Sequence, residues 1–400
     1  MKLWAKNSRL LPEIERFTAG EDVHLDQVLV PYDCRASAVH ARMLQKIGVL
    51  TPFESEALQA ALEEIIRLHA EGKFQIRPEQ EDCHTAIEEY LTQKLGEIGK
   101  KIHTGRSRND QVLTALRLYY KDELQKLRNE AGELIGAFEA FSERFGDVPL
   151  PGYTHTRKAM PSSVGLWVGA FVEAMQDNLR ALDWVTGLVD QCPLGAGAGY
   201  GVPLPLDREF TAGELGFGRV QQNPLYTQNS RGKLEASLLH GMGLFLLDLN
   251  KFASDVIFFS QPELGFLELS EAVTTGSSIM PHKKNPDPFE ILRAHYHRVL
   301  GNEMSVRSLA ANLISGYHRD FQLLKRPVMD SFQMTHESLA ATRLLVREIT
   351  VNERRCREAM TEELYSVERA MQRVQQGKSF RDAYFEEAEK WRKKGHKKSR

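Results

Sequence analysis

A chain of 400 residues is too long for one ordinary core, because single cores rarely grow beyond about 250 to 300 residues. The formal net charge of −2, with 26% charged residues, sets up no field that would draw nucleic acid or an acidic membrane. Four scattered cysteines, Cys34, Cys83, Cys192 and Cys356, show no C-x-x-C spacing; they exclude a disulfide framework and structural zinc, and suit a reducing cytosol. Met1 to Arg9 carries charges with no apolar run behind them and is not read as a secretory signal. The most apolar stretch, 244–259, is interrupted by Asp248, Lys251 and Asp255, so no membrane span is expected.

In chain order, residues 1–105 predict a small helical domain with helices near 34–48, 52–71 and 82–96. Thr51 before Pro52 and Glu54 marks one helix start. Residues 106–352 predict a domain of very long helices. Val112, Leu116, Tyr120, Leu124, Leu127, Ala131, Leu134, Phe138, Phe141 and Phe145 form one stripe at steps of three and four, on a helix on the order of 55 Å long. Two more stripes run from Val164 to Val189 and from Leu234 to Phe259. Helices of this length bury their stripes most economically in a bundle continued by partner subunits, so a homo-oligomer is expected. Residues 353–400 predict a short, highly charged C-terminal helical domain. Its basic end, Lys390 to Arg400, reads as a solvated, partly disordered tail rather than a nucleic-acid site.

Four clusters carry chemistry. His103 to Gln111 (HTGRSRNDQ) places Arg106 and Arg108 beside Ser107 and Asn109 at the start of the first long helix. Two rigid guanidinium forks and two neutral donors exceed what a helix cap needs, and suit carboxylates. Pro151 to His155 (PGYTH) sets an imidazole in an inter-helix loop ahead of a helix starting near Pro161, where it can act as acid or base. Gly276 to Pro286 (GSSIMPHKKNP) has adjacent hydroxyls, adjacent ammonium groups and a carboxamide between helix breakers, and reads as a carboxylate-handling lid. In Ser315 to Lys325, Gln322 and Lys325 share a face if the chain turns helical after Gly316, with Tyr317 as a hydroxyl donor. His84 and Glu88 share a helix face without further metal ligands and read as structural; no metal or cofactor is assigned. The glycine-rich 193–201 reads as a packing turn, not a dinucleotide loop. This inventory suits proton abstraction next to a carboxylate, with the resulting enolate stabilised by cations.

The segments Lys101 to Val112, Pro151 to His155, Thr275 to Asp287 and Tyr317 to Lys325 resemble argininosuccinate lyase, of the fumarase/aspartase superfamily; the likeness runs from about Leu3 to the Phe380–Ala383 stretch. The 276–286 loop points only to the superfamily. The TGRSRNDQ string is particular to argininosuccinate lyase and its lens relative δ-crystallin. The resemblance implies an all-α, three-domain fold, a twenty-helix core in a cytoplasmic homotetramer, and sites built from three subunits. It also implies reversible cleavage of argininosuccinate to arginine and fumarate, the last step of arginine biosynthesis. A related fumarate-releasing lyase of the adenylosuccinate type and a non-catalytic δ-crystallin-like protein are the alternatives.

Carried over by motif position, Ser277 takes the Cβ proton, Lys283 favours its alkoxide and the enolate, and His155 protonates the leaving nitrogen with Glu290 orienting the ring; the reverse choice of base between Ser277 and His155 stays open. Ser107, Arg108, Asn109, Thr154, Asn285, Tyr317, Gln322 and Lys325 are implied substrate contacts. Three positions depart from the family pattern: Gly20 lies near a common substrate-contacting serine, His282 replaces a frequent glutamine, and Gly232 stands where an aspartate is usual. The C-terminal domain is short, and since its loss removes none of these residues activity is expected to survive.

Overall fold

The computed structural model describes residues 11–398; the chain's first ten residues and the last two of the basic tail lie outside the described residues. It is mostly helical. Short helices open the chain: α1 (Pro12–Ala19), α2 (Asp22–Leu25), α3 (Val30–Lys46), α4 (Pro52–Ala70), α5 (Cys83–Leu95) and α6 (Glu97–Lys100). Thr51 caps α4 in a full capping box: its hydroxyl accepts the Glu54 N–H, and the Glu54 carboxylate accepts the Thr51 N–H. The first stripe is α7, Arg108–Phe145, 38 residues long.

Where a loop into a helix near Pro161 was expected, the chain makes an antiparallel hairpin of β1 (Pro149–Thr154) and β2 (Arg157–Ser163), and α8 (Val164–Val189) starts only afterwards. Prolines 149, 151 and 161 and the β-branched Val148 and Thr154 favour extended backbone there, a signal outweighed in the sequence by the helical stripe that follows. Then come α9 (Arg208–Glu214), α10 (Pro224–Asn229), α11 (Lys233–Phe259), α12 (Asp287–Ala310) and α13 (Lys325–Arg347). A second small sheet pairs β3 (Leu267–Leu269) with β4 (Ile349–Val351). The chain closes with α14 (Glu353–Ala359), α15 (Ser366–Gln375) and α16 (Phe380–Lys398). The basic end is therefore helical as far as it is described. Arg369 and Arg373 on α15 both pair with Glu387 on α16, which ties that helix down.

The chain forms two compact units. One comprises the chain up to Asn129 with Leu179–Leu244 and His297–Thr335. Its core includes Val39, Leu118, Cys192, Leu194, Phe217 and Val220. The other comprises Glu130–Asn178, Phe245–Tyr296 and His336–Arg400. There Phe252 is the hub: Phe138 and Phe171 meet it edge-on with ring centroids 5.1 and 5.3 Å away, and Trp167 stacks on it at 5.9 Å. Phe138 and Phe252 are essentially inaccessible, and burying such rings stabilises the fold by roughly 1.5–3 kcal/mol each. All four cysteines are buried and free. Among the described residues no helix is long and apolar enough to cross a membrane.

Candidate active site

The first unit holds a cavity of about 350 Å³ where the end of α1 and the starts of α5, α7 and α13 meet the turn before α11. Arg108 and Asn109, in the first turn of α7, line it; Ser107 is just outside, its hydroxyl accepting the Asn109 N–H and so capping the helix. From the other side come Tyr317, Gln322 and Lys325. The chain after Gly316 does turn helical, as a 3₁₀ segment Arg319–Leu324 running into α13, and this sets Gln322 and Lys325 on the same wall. Five of the eight residues read as substrate contacts thus face one space.

Their partners determine what they can do. Lys325 is 4% exposed, with its ammonium 2.5 Å from Asp26 and 3.1 Å from Asp22. Burial would strip its proton, but Asp26 and Asp22 outweigh burial and hold the ammonium above its usual range. Burial pushes the Asp22 carboxyl up to about 6 against the pull of Lys325. Gln322 donates to the Thr18 and Ala19 carbonyls at the end of α1, both at 3.0 Å. Arg108 spans Asp82 at 3.1 Å and Thr85 at 2.8 Å, so its fork is partly engaged by the N-terminus of α5, where Asp82 is the cap. Behind this wall, buried Asp33 accepts from Nδ1 of His84 at 2.9 Å and from Gln111 at 3.0 Å.

Asp22, Asp26 and Arg231 line the cavity too, and the sequence reading did not name them as site residues. Arg231 is 5% exposed and lies against the rings of Tyr317 and Phe321, 5.0 and 5.2 Å from their centroids; its Nη1 has no partner. A buried guanidinium with an idle donor is a strong anchor for an anionic group. Asp22 and Asp26 lie four residues apart, but nothing local in that segment refers to Lys325, so the sequence alone carried no signal for the pairing. Among the described residues one trio, Asp26, Cys83 and His84, has metal-ligand atoms within 4.8 Å of one another. Lys325 already neutralises Asp26, Asp33 holds His84, and burial drives the Cys83 thiol well up, so the trio does not suit a cation.

Two departures acquire a physical reason. Gly20 ends α1 with φ of +56°, a conformation that disfavours serine. Gly232 has φ of +78°, and a Cβ there would fall 2.2 Å from the Cβ of Ala310; its N–H caps onto Glu235 at 2.7 Å instead. An aspartate cannot fit at 232 without displacing α12 backbone.

The second unit presents the other reactive groups. The 276–286 loop is pinched at its base, where Thr275 and Asn285 exchange backbone hydrogen bonds of 3.0 and 2.8 Å. Within the ring, the Ser277 Oγ accepts the Met280 N–H at 3.1 Å, and Lys284 pairs with Glu271 at 2.9 Å. Lys283 is exposed and carries no ion pair among the described residues; Glu290 is exposed in the first turn of α12. Thr154 ends β1, and His155 and Thr156 form the two-residue hairpin turn with φ of +52° and +57°. Both positions are left-handed, as a type I′ turn demands, without the glycine that usually supplies it. Such strain at an exposed imidazole is a common mark of a working residue.

Comparison with known proteins agrees with this chemistry. A family described as lyase matches residues 14–301. Argininosuccinate lyase of Thermotoga neapolitana is 53% identical over 98% of each chain. Argininosuccinate lyase of Sorangium cellulosum is 43% identical over 96% of this chain and 89% of its own. Among solved structures, a class II fumarase from Schistosoma mansoni, 17% identical, superposes with a TM-score of 0.75 over 96% of this chain and 92% of its own. A fumarate lyase from Mesorhizobium, 18% identical, gives 0.77 over 98% of this chain and 89% of its own; at such identity the two share the fold alone. The chain is a carbon–nitrogen lyase and belongs to the argininosuccinate lyase family of the fumarase/aspartase superfamily.

Proposed function

We propose that the chain catalyses the reversible β-elimination of argininosuccinate to L-arginine and fumarate, closing arginine biosynthesis. The supporting observation is the single cavity on which Asn109, Tyr317, Gln322, Arg231 and Lys325 converge, with donors and cations for the carboxylate of the amino-acid end. Ser277, assisted by Lys283, removes the Cβ proton and leaves its electron pair on the adjacent carboxylate as an enolate; that pair then forms the C=C bond as the C–N bond breaks. The electrons of that bond stay on the guanidino nitrogen, which takes a proton from His155, oriented by Glu290. Lys283 offsets the extra charge on the enolate carboxylate. Asn285 and Thr154 flank these groups in sequence and complete the succinyl end, and Ser107 acts through the Asn109 backbone. No nucleic acid or membrane enters this scheme.

We further propose a homotetramer in a reducing cytoplasm. Leu166 and Trp184 on α8, Ile291 and Met304 on α12, and Leu344 on α13 are all more than half exposed, at 70%, 60%, 59%, 61% and 55%, a pattern that favours burial against copies of the chain. The four unpaired cysteines favour a reducing compartment. The test is incubation of the purified protein with argininosuccinate while fumarate is followed by ultraviolet absorbance. Release of fumarate is expected; a folded tetramer that releases none refutes the enzyme reading. Light scattering on the eluting protein tests the oligomer, and a monomer refutes it.

A further inference from the structure

A second cavity, of about 270 Å³, lies in the second unit between the last turns of α7 and α13, apart from every residue assigned above. Arg144, Arg343 and Arg347 line it against one carboxylate, Glu133. Glu133 is taken by Arg343, whose Nε is buried and has no acceptor. Arg144 and Arg347 carry no ion pair among the described residues; Arg144 only lies over the Phe145 ring, 4.8 Å from its centroid. The space exists because α7 shows small residues here: Gly136 and Ala140 line the wall, and a Cβ on Gly136 would meet nothing within 4 Å.

The bland reading is three arginines offsetting the negative ends of two helix dipoles. It accounts for Arg144 and Arg347, at or next to the last residue of their helices, but not for Arg343, a full turn back and bonded to Glu133, nor for the missing side chains on the facing wall. Three forks around a space too small for a nucleotide and large enough for a few heavy atoms fit a compact dianion, held by paired N–H···O bonds.

We propose that this cavity is a binding site for a small dianion, either inorganic phosphate or a short dicarboxylate, separate from the site of the reaction. The probes are inorganic phosphate and succinate, each titrated at constant ionic strength while the thermal midpoint of the whole protein is followed. The variants are Arg144→Gln/Arg347→Gln, which removes the two unpaired forks, and Gly136→Leu, which fills the space and favours the helix. A saturable rise in midpoint with one probe is expected, at least about tenfold weaker in both variants, each keeping wild-type fumarate release without added anion. Phosphate alone acting identifies an oxyanion site, and succinate acting identifies a carboxylate site. A rise that persists unchanged in both variants places the anion elsewhere and overturns the proposal. So does the absence of any saturable rise, which leaves only nonspecific ionic screening.

Discussion

Replacing Lys325 with methionine separates the structural role of the buried cluster from its binding role. The side chain is similar in length and the cavity wall keeps its shape, but Asp26, fully buried, and Asp22 lose their counter-ion. Breaking one side of a buried pair costs about 3–5 kcal/mol, and the gain from burying a thioether is about 1 kcal/mol, so a net loss of about 3 kcal/mol is expected at pH 8. That is about two powers of ten in the unfolding constant. The loss carries a pH signature. Asp22 already titrates near 6 with the ammonium beside it, and without it the value rises. A carboxyl whose folded value is raised takes its proton in the folded state first, so its contribution to stability grows as pH falls through that value and is complete below the unfolded value near 3.8. The deficit of Lys325→Met must therefore shrink from pH 8 to pH 5, and adding Asp26→Asn must recover at least half of it. Urea unfolding followed by circular dichroism at both pH values measures this. A deficit below about 1 kcal/mol at pH 8, or one that does not change with pH, refutes the account of a charge-locked cluster.

Ser277→Ala should fold and bind substrate but lose turnover by at least about a thousandfold; near-normal fumarate release would remove Ser277 from the role of base. Gly232→Asp restores the usual family residue, yet the left-handed backbone and the 2.2 Å approach to Ala310 predict destabilisation by more than about 2 kcal/mol, read from the urea midpoint; a neutral outcome would mean that α12 yields easily. Thr156→Gly should stabilise the hairpin by about 0.5–1 kcal/mol by relieving a β-branched residue at φ +57°, and a loss in thermal midpoint would show that the turn is held by contacts rather than strained. Burial, with Arg106 adding to it, lowers His40 to about 3, so it stays neutral in the fold while the unfolded chain protonates near 6.5. Between those values wild type loses about 1.4 kcal/mol per pH unit from this group, and His40→Gln should show a slope flatter by that amount; equal slopes would contradict it.

The long helices were legible because α7, α8 and α11 each keep one apolar stripe over more than twenty residues, a pattern no strand or loop sustains. The capping box at Thr51 was legible for a similar reason, as a short motif with one physical outcome. The hairpin at 149–163 was not. Strands of 6 and 7 residues that contain Pro149, Pro151 and Pro161 give a weak period, and the turn uses His and Thr where glycine would have announced it. For the candidate site, Arg108 and Asn109 could be named from their excess over the needs of a helix cap, and Gln322 and Lys325 from their shared face after Gly316. Their ion-pair partners could not, since Asp26 and Lys325 lie 299 positions apart and nothing local in either segment refers to the other. Arg231 matches the family pattern beside the departing Gly232, but its place in the site shows only once Tyr317 and Phe321 are set against it.

The backbone exchange between Thr275 and Asn285 turns the loop above it into a closed ring of nine residues, anchored to the start of α12 by the Thr275 hydroxyl on Asp287 and to the preceding segment by Lys284 on Glu271. Closing a ring of that size costs about 2 kcal/mol in chain entropy before any constant term, which two ordinary hydrogen bonds roughly offset. The backbone pair alone therefore sits near thermodynamic balance, and the Lys284–Glu271 pair and the Thr275–Asp287 hydrogen bond tip it towards closure. A family can retune such a ring one side chain at a time. The histidine at 282, exposed and outside every contact that fastens the base, is the kind of change this design absorbs, whereas an exchange at Thr275 or Asn285 would alter the reach of every group the ring carries.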